Sequence, residues 1–170
     1  MLSETARMTS STEARFRVQA PNSSCRDIKV IALDTPSEGL LSRLAERPWN
    51  HAEFLAAATF VPARDDKHCV PMDQWLTDLS GRPKNLLTEV NAADLVVMVA
   101  KPDGNVHAAT VIGEICREMR VNSAAFIYDA QFSSDEAISK TLAQLRPWSL
   151  MVVIAESEDA IEDMLIALRA

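Results

Sequence analysis

The sequence has few glycines, only 4 among 170 residues. They stand far apart, at Gly39, Gly81, Gly104 and Gly113. The phosphate-binding loops G-x-G-x-x-G and G-x-x-x-x-G-K-[ST] need glycines close together, because their backbone must approach a phosphate group. The spacing of the glycines therefore excludes both loops.

Paired cysteines and long apolar runs are also missing. The 3 cysteines, Cys25, Cys69 and Cys116, form no C-x-x-C pair, and an odd number does not suit a disulfide framework. We therefore expect reduced thiols and a cytoplasmic location. Every stretch of about 18 residues contains charges or turn formers, so we expect no membrane span and no membrane partner.

Positive charge is scarce, since 17 basic residues face 24 acidic ones and the net charge is −7. Residues 1–26 are rich in Ser and Thr and carry four arginines against two acids, a net charge of +2, which leaves −9 on residues 27–170. A body this acidic repels phosphate backbones, so we expect no nucleic-acid partner. We predict a flexible N-terminal tail over 1–26 and a single domain over 27–170.

Short apolar runs recur along this domain. Near-continuous apolar runs without polar alternation are typical of parallel strands that are buried on both faces. The five predicted strands are 28–33, 58–61, 95–100, 124–128 and 150–155.

Apolar residues at helical spacing lie between these runs. The predicted helices are 37–46, 51–57, 83–91, 106–120, 134–146 and 158–169. Residues 62–83 form an irregular stretch with a predicted helical turn at 73–79. Alternating strands and helices predict a three-layer, Rossmann-like α/β sandwich. Its sheet is predicted to be mainly parallel, with five strands in the order 2-1-3-4-5.

Such sheets bind ligands beyond the carboxyl ends of the strands, where the strand order reverses. In the predicted order this crevice lies between the first and third strands. Asn105 is placed to cap the helix after the third strand, and with Lys101 it predicts a site for a small anionic ligand. The candidate ligand-binding residues are Asp34, Thr35, Ser37, Lys101, Gly104, Asn105, His107 and Asp129.

Two functions are consistent with these residues at the carboxyl ends of the strands. The first is a non-catalytic ligand-binding, regulatory or interaction module. The second is a small-molecule enzyme in which His107 is the acid or base and Lys101 an electrostatic clamp. No spacing typical of metal ligands is present, so we expect no metal, and the sequence identifies neither a cofactor nor catalytic residues. The apolar C-terminal segment, with Met151 and Met164, favours a homodimer.

Residues 92–128 resemble the glycine-loop segment of tubulin/FtsZ-type GTPases. The resemblance lies in Ala93-Asp94, the strand that ends at Ala100, Gly104, and the helix that includes 108–115. Only Gly104 matches the family's run of glycines, and Asp34-Thr35-Pro36-Ser37 stands where the family has an early glycine-rich loop. The resemblance therefore implies a Rossmann-like fold that does not bind GTP in the family's usual manner.

Overall fold

A computed structural model describes residues 25–57 and 75–170. Within them the fold is α/β, with one mixed sheet of seven strands in the order β4-β3-β2-β1-β5-β6-β7. The strands are β1 (Ile28–Ala32), β2 (Ala52–Ala56), β3 (Leu76–Asp78), β4 (Pro83–Lys84), β5 (Leu95–Ala100), β6 (Asn122–Tyr128) and β7 (Met151–Ala155). The helices are α1 (Thr35–Ala45), α2 (Leu86–Asn91), α3 (Ala108–Met119), α4 (Asp135–Leu145) and α5 (Glu158–Leu168).

Strands β2, β1, β5, β6 and β7 run parallel, and β3 and β4 add an antiparallel hairpin beside β2. All six residues of β5 are buried, as a central parallel strand requires when helices cover both of its faces. In the register, Ala32 lies opposite Val99 on the neighbouring strand, so β1 and β5 end at almost the same level.

Two apolar cores lie on opposite faces of the sheet. One packs α2, α3 and the end of α4 on the face that carries Ile31 and Met98. The other packs α1 and α5 on the face that carries Val30 and Val97. Alternate residues of each strand enter alternate cores, which is the two-residue period of a strand.

Side-chain caps fix where most helices begin. Asp34, Asn85, Ser134 and Ser157 each accept a hydrogen bond from the backbone N–H three residues later. Helix α3 is the exception, because it begins after His107 without a side-chain cap.

Two segments were assigned wrongly from the sequence. Residues 51–57 were predicted to form a helix but contain β2, and the predicted turn at 73–79 contains β3. The Ala, Glu and Leu residues of β2 favour a helix, but pairing with β1 overrides local propensity. Pro83, predicted to begin a helix, instead belongs to β4. The predicted strand 58–61 lies outside the described residues.

The predicted count and order of strands also differ from the structure, because the described residues alone contain seven strands rather than five. Strand β2 lies earlier in the chain than any strand predicted between β1 and β5, and the hairpin of β3 and β4 was not predicted. The two strands of this hairpin are only three and two residues long, which is too short for an alternation of apolar and polar residues to be recognised. No helix in the described residues has the length and apolar character to cross a membrane.

Candidate functional site

The chain leaves the two central strands in opposite directions. From β1 it enters α1 on one face of the sheet, and from β5 it enters α3 on the other. The carboxyl ends of these neighbouring strands therefore bound a crevice at the point where the strand order reverses. We call this space the switch crevice, bounded by Asp34 after β1 and Lys101 after β5.

The carboxylate of Asp34 lies between the ends of β1 and β5. Its Oδ1 atom accepts a hydrogen bond from the Ser37 N–H at 2.8 Å, and its Oδ2 atom accepts one from the Lys101 N–H at 2.8 Å. Only 5% of Asp34 is exposed. One side chain thus caps α1 and links the ends of two strands that lie 67 residues apart in sequence. Hydrogen bonds from N–H groups to a carboxylate are about twice as strong as neutral ones.

Gly104 lies directly against this carboxylate. A Cβ atom at Gly104 would fall far inside van der Waals contact with Asp34 Oδ2 and only 2.8 Å from the Lys101 carbonyl oxygen. The Gly104 N–H also donates to that carbonyl oxygen at 2.9 Å, which closes a tight turn. Glycine is therefore required at Gly104 by the closeness of the loop to Asp34.

The loop from β5 to α3 is fixed at a second point. The Asp103 N–H donates to Thr141 Oγ1 on α4 at 3.1 Å, and Thr141, which is almost fully buried, in turn donates to the Ala137 carbonyl. Asp103 has a φ of 62°, in the left-handed region that Asp tolerates better than most residues. The loop is thus held by Asp34 on one side and by α4 on the other.

The ammonium group of Lys101 is paired with an acid. Its Nζ atom lies 2.7 Å from Asp129 Oδ2, at the end of β6. The hydrogen bond to Asp129 raises the pKa of Lys101, although partial desolvation acts in the opposite direction. Lys101 is therefore protonated near neutral pH, which rules it out as a general base there. Its positive charge is balanced by the carboxylate of Asp129.

Tyr128 belongs to this cluster but was missed in the sequence analysis. Burial, followed by the negative charge of Asp34, raises the pKa of the Tyr128 phenol, and the Lys101 ammonium opposes this shift. The phenol is therefore neutral under ordinary conditions. Its position as the last residue of β6, directly before Asp129, was a signal that could have identified it.

The remaining predicted residues lie away from the carboxylate. Thr35 is an exposed first-turn residue of α1, and Ser37 is buried and contributes its backbone N–H. Asn105 does not cap the first turn of α3 as predicted. Instead, its Oδ1 atom accepts a hydrogen bond from the His107 N–H in the turn ahead of that helix, because α3 begins later than expected.

His107 lines a separate cavity of about 220 Å³ between α3 and α4, with Thr110, Gln144 and Trp148 among its neighbours. The structure thus groups Asp34, Gly104, Lys101 and Asp129 at the switch crevice and places the His107 side chain elsewhere. Within the described ranges, no three His, Cys, Asp or Glu side chains are arranged to hold a metal ion.

Comparison of the sequence with protein-family models and with curated proteins finds no match.

Proposed function

We propose that this chain is a non-catalytic, Rossmann-like interaction module whose ligand crevice is filled by its own carboxylate. The observation that carries the proposal is the position of Asp34. Its two oxygens occupy backbone N–H groups of Ser37 and Lys101 at the place where folds of this class hold a ligand's anionic group. A ligand phosphate or carboxylate would have to displace a buried side chain that already satisfies them.

The charges around the crevice support the same proposal. Lys101, the cation nearest to the strand ends in our prediction, is paired with Asp129. Asp34 and Asp129 add two negative charges at this edge of an acidic chain. A nucleotide or other anion would be repelled by these carboxylates, because the charge of the nearby Lys101 ammonium is already balanced by Asp129. We therefore propose that GTP and related nucleotides are not bound in the switch crevice.

A small-molecule enzyme around His107 and Lys101 is the second candidate. The observation that favours it is the cavity beside His107, since an imidazole at the wall of a cavity could act as an acid or base. Its weakness is that Lys101 is engaged by Asp129 rather than directed to that cavity. The two candidates differ in which substitutions should remove ligand binding.

A thermal-shift screen tests the first candidate. GTP, ATP, NAD, inorganic phosphate and small dicarboxylates are added separately at millimolar concentration, and the melting temperature is recorded. A ligand at about 100 times its Kd stabilises a protein by about 2.7 kcal/mol, which is a shift of several degrees. We expect no shift of this size in the wild-type protein.

The variants Lys101→Ala and His107→Ala identify the site of any ligand that is found. A stabilising anion whose effect disappears in Lys101→Ala would contradict the proposed closed crevice. A neutral small molecule whose effect disappears in His107→Ala alone would support the enzyme candidate. Glu118→Ala, an exposed substitution on α3 at a residue outside the candidate site and without a described ion pair, is the control.

A further inference from the structure

Strand β7 leaves an unprotected apolar edge on the sheet. In the described part of the chain it pairs only with β6, so its other side presents free backbone N–H and C=O groups. Met151 and Ile154 on β7 are 37% and 47% exposed, and the adjacent Leu150 is 78% exposed. Phe132, also 78% exposed, follows β6 at the other end of the same edge.

The opposite edge of the sheet is protected. Its strand, β4, is two residues long and consists of Pro83, which has no N–H group, and the charged Lys84. Shortness, proline and lysine are the features by which edge strands avoid pairing with another chain. Strand β7 has none of them, since it contains five apolar residues without proline or charge. Strand β7 therefore lacks the protection that β4 has.

The helices beside β7 continue this apolar surface. On α5, Glu158 forms an ion pair with Arg43 of α1 at 2.9 Å, and Glu162 pairs with Arg47. This flank therefore faces α1. At 100° per residue the opposite flank, directed toward the free edge, carries the uncharged Ala160, Met164 and Ala167, with the exposed Asp163 at its solvent side.

Helix α4 has the same arrangement on the other face of the sheet. The exposed Lys140 side chain lies 3.7 Å from Asp103 in the loop to α3. That flank of α4 therefore faces α3 and not the free edge of the sheet. The opposite flank carries the partly buried Ile138 and Leu142 in its middle and the exposed Asp135 and Arg146 at its two ends. Among the residues described, neither Asp135 nor Arg146 has an ion-pair partner in its own copy.

We propose that the partner of this edge is β7 of a second copy of the chain, paired antiparallel about a two-fold axis. The charge pattern favours a second copy. Two chains of net charge −7 repel each other, so a surface shared by two copies must carry little unbalanced negative charge. Residues 147–155 contain no charged residue, and the acid Asp135 of α4 is matched by Arg146. The seven strands in the described ranges of each copy then form one sheet of fourteen across the axis.

Symmetry defines the contacts of this pair. Full overlap of β7 places Val153 opposite Val153 of the second copy, Val152 opposite Ile154, and Met151 opposite Ala155, so every cross-strand pair is apolar. The two copies of α4 run antiparallel beside the axis. This brings Asp135 of one copy next to Arg146 of the other at both ends, where opposite charges attract.

The first test is the association state of the full chain, measured by sedimentation velocity over a range of concentrations. We expect a dimer for the wild-type protein. Ile154→Lys should weaken association by at least about tenfold, because it buries an unpaired ammonium in the interface. Ile166→Lys is the matched control: Ile166 is 58% exposed but lines the cavity between the loop after α1 and the end of α5, so dimerisation should not change.

The second test is a charge exchange at the ends of α4. Asp135→Arg and Arg146→Asp should each weaken the dimer, because each places like charges side by side. The double variant Asp135→Arg/Arg146→Asp should restore association, since the two signs are exchanged together. Both positions are exposed, so the fold tolerates the changes, and circular dichroism of each variant verifies this.

A wild-type protein that remains monomeric at high concentration would overturn the inference. So would a dimer that survives Ile154→Lys but dissociates in Ile166→Lys, or a double charge exchange that fails to recover association. The inference names the partner of the proposed interaction module and in that respect rests on it. The two can fail separately, because sedimentation is measured without ligand and the thermal-shift screen reports only the switch crevice.

Discussion

The Oδ2 atom of Asp34 and the Cα atom of Gly104 lie so close that a single methyl group does not fit between them. The same Oδ2 atom accepts the hydrogen bond from the Lys101 N–H. We therefore expect Gly104→Ala to displace the carboxylate and to break the link between β1 and β5. The expected loss in the free energy of unfolding is about 1–3 kcal/mol, measured by urea denaturation.

Gly39→Ala is the control for that substitution. Gly39 lies inside α1, where an added Cβ would meet no atom closer than 4.0 Å. Alanine favours a helix interior by about 1 kcal/mol over glycine, so this variant should be more stable than the wild type. Combining Gly104→Ala with Asp34→Ser should cost less than the sum of the two single losses, because the clash disappears. Simple additivity would contradict the proposed contact.

A second glycine marks where α3 packs against the turn that precedes β7. A Cβ atom on Gly113 would lie 2.5 Å from the Cβ atom of Trp148. Arg117, one turn further along α3, lies over the Trp148 ring at 5.2 Å. Gly113→Ala should therefore destabilise the fold by about 1–3 kcal/mol despite its better helix propensity. Gly113→Ala in a Trp148→Ala background should cost much less, as thermal unfolding would reveal.

Four charged side chains form a network near the amino ends of the strands. Lys29 on β1 contacts Glu53 on β2 and lies 2.8 Å from Glu89 on α2, and Lys84 joins both acids. Burial acts to lower the pKa of Lys29, but its bonds to the two acids outweigh burial and raise it. Burial likewise acts to raise the pKa of Glu53, but the two lysines lower it below 4.5.

The variant Lys29→Met tests this network through its pH dependence. A lowered folded-state pKa means that Glu53 stabilises the protein above its ordinary pKa and loses this effect as pH falls through the folded-state value. Near neutral pH, Lys29→Met leaves two acids with only Lys84, so we expect a loss of about 2 kcal/mol or more. As the pH falls through the lowered folded-state pKa of Glu53, this carboxylate becomes protonated and the difference from wild type should shrink.

Denaturant titrations of both proteins at several pH values would measure this trend. Arg43→Met, which removes an exposed ion pair on α1, is the control and should cost less than about 1 kcal/mol. A loss in Lys29→Met that grows as the pH falls would contradict the assigned network.

The sequence predicted the α/β class because buried parallel strands have a distinctive composition. Strand β5 was found with its observed bounds, since six apolar residues in succession have no other simple interpretation. Strand β2 was missed because its stability comes from contacts that are distant in sequence. Glu53, for example, has a high helix propensity, whereas its ion pair with Lys29 of the neighbouring strand favours its place in β2.

The same limit applies to the site. Position at the end of a strand was enough to select Asp34, Lys101, Gly104 and Asp129, since parallel strands end at one edge. What these residues do to one another depends on distances that a sequence does not contain. The carboxylate of Asp34 was predicted to help bind a ligand, whereas the structure shows it accepting hydrogen bonds from its own backbone.

The most direct measurement of the closed switch crevice is a titration followed by the amide NMR signals of Ser37 and Lys101. These two N–H groups would donate to a bound anion if Asp34 did not hold them. With GTP or inorganic phosphate added to millimolar concentration, we expect both signals to remain unchanged in the wild-type protein. A saturable shift of both signals, lost in Lys101→Ala, would contradict it.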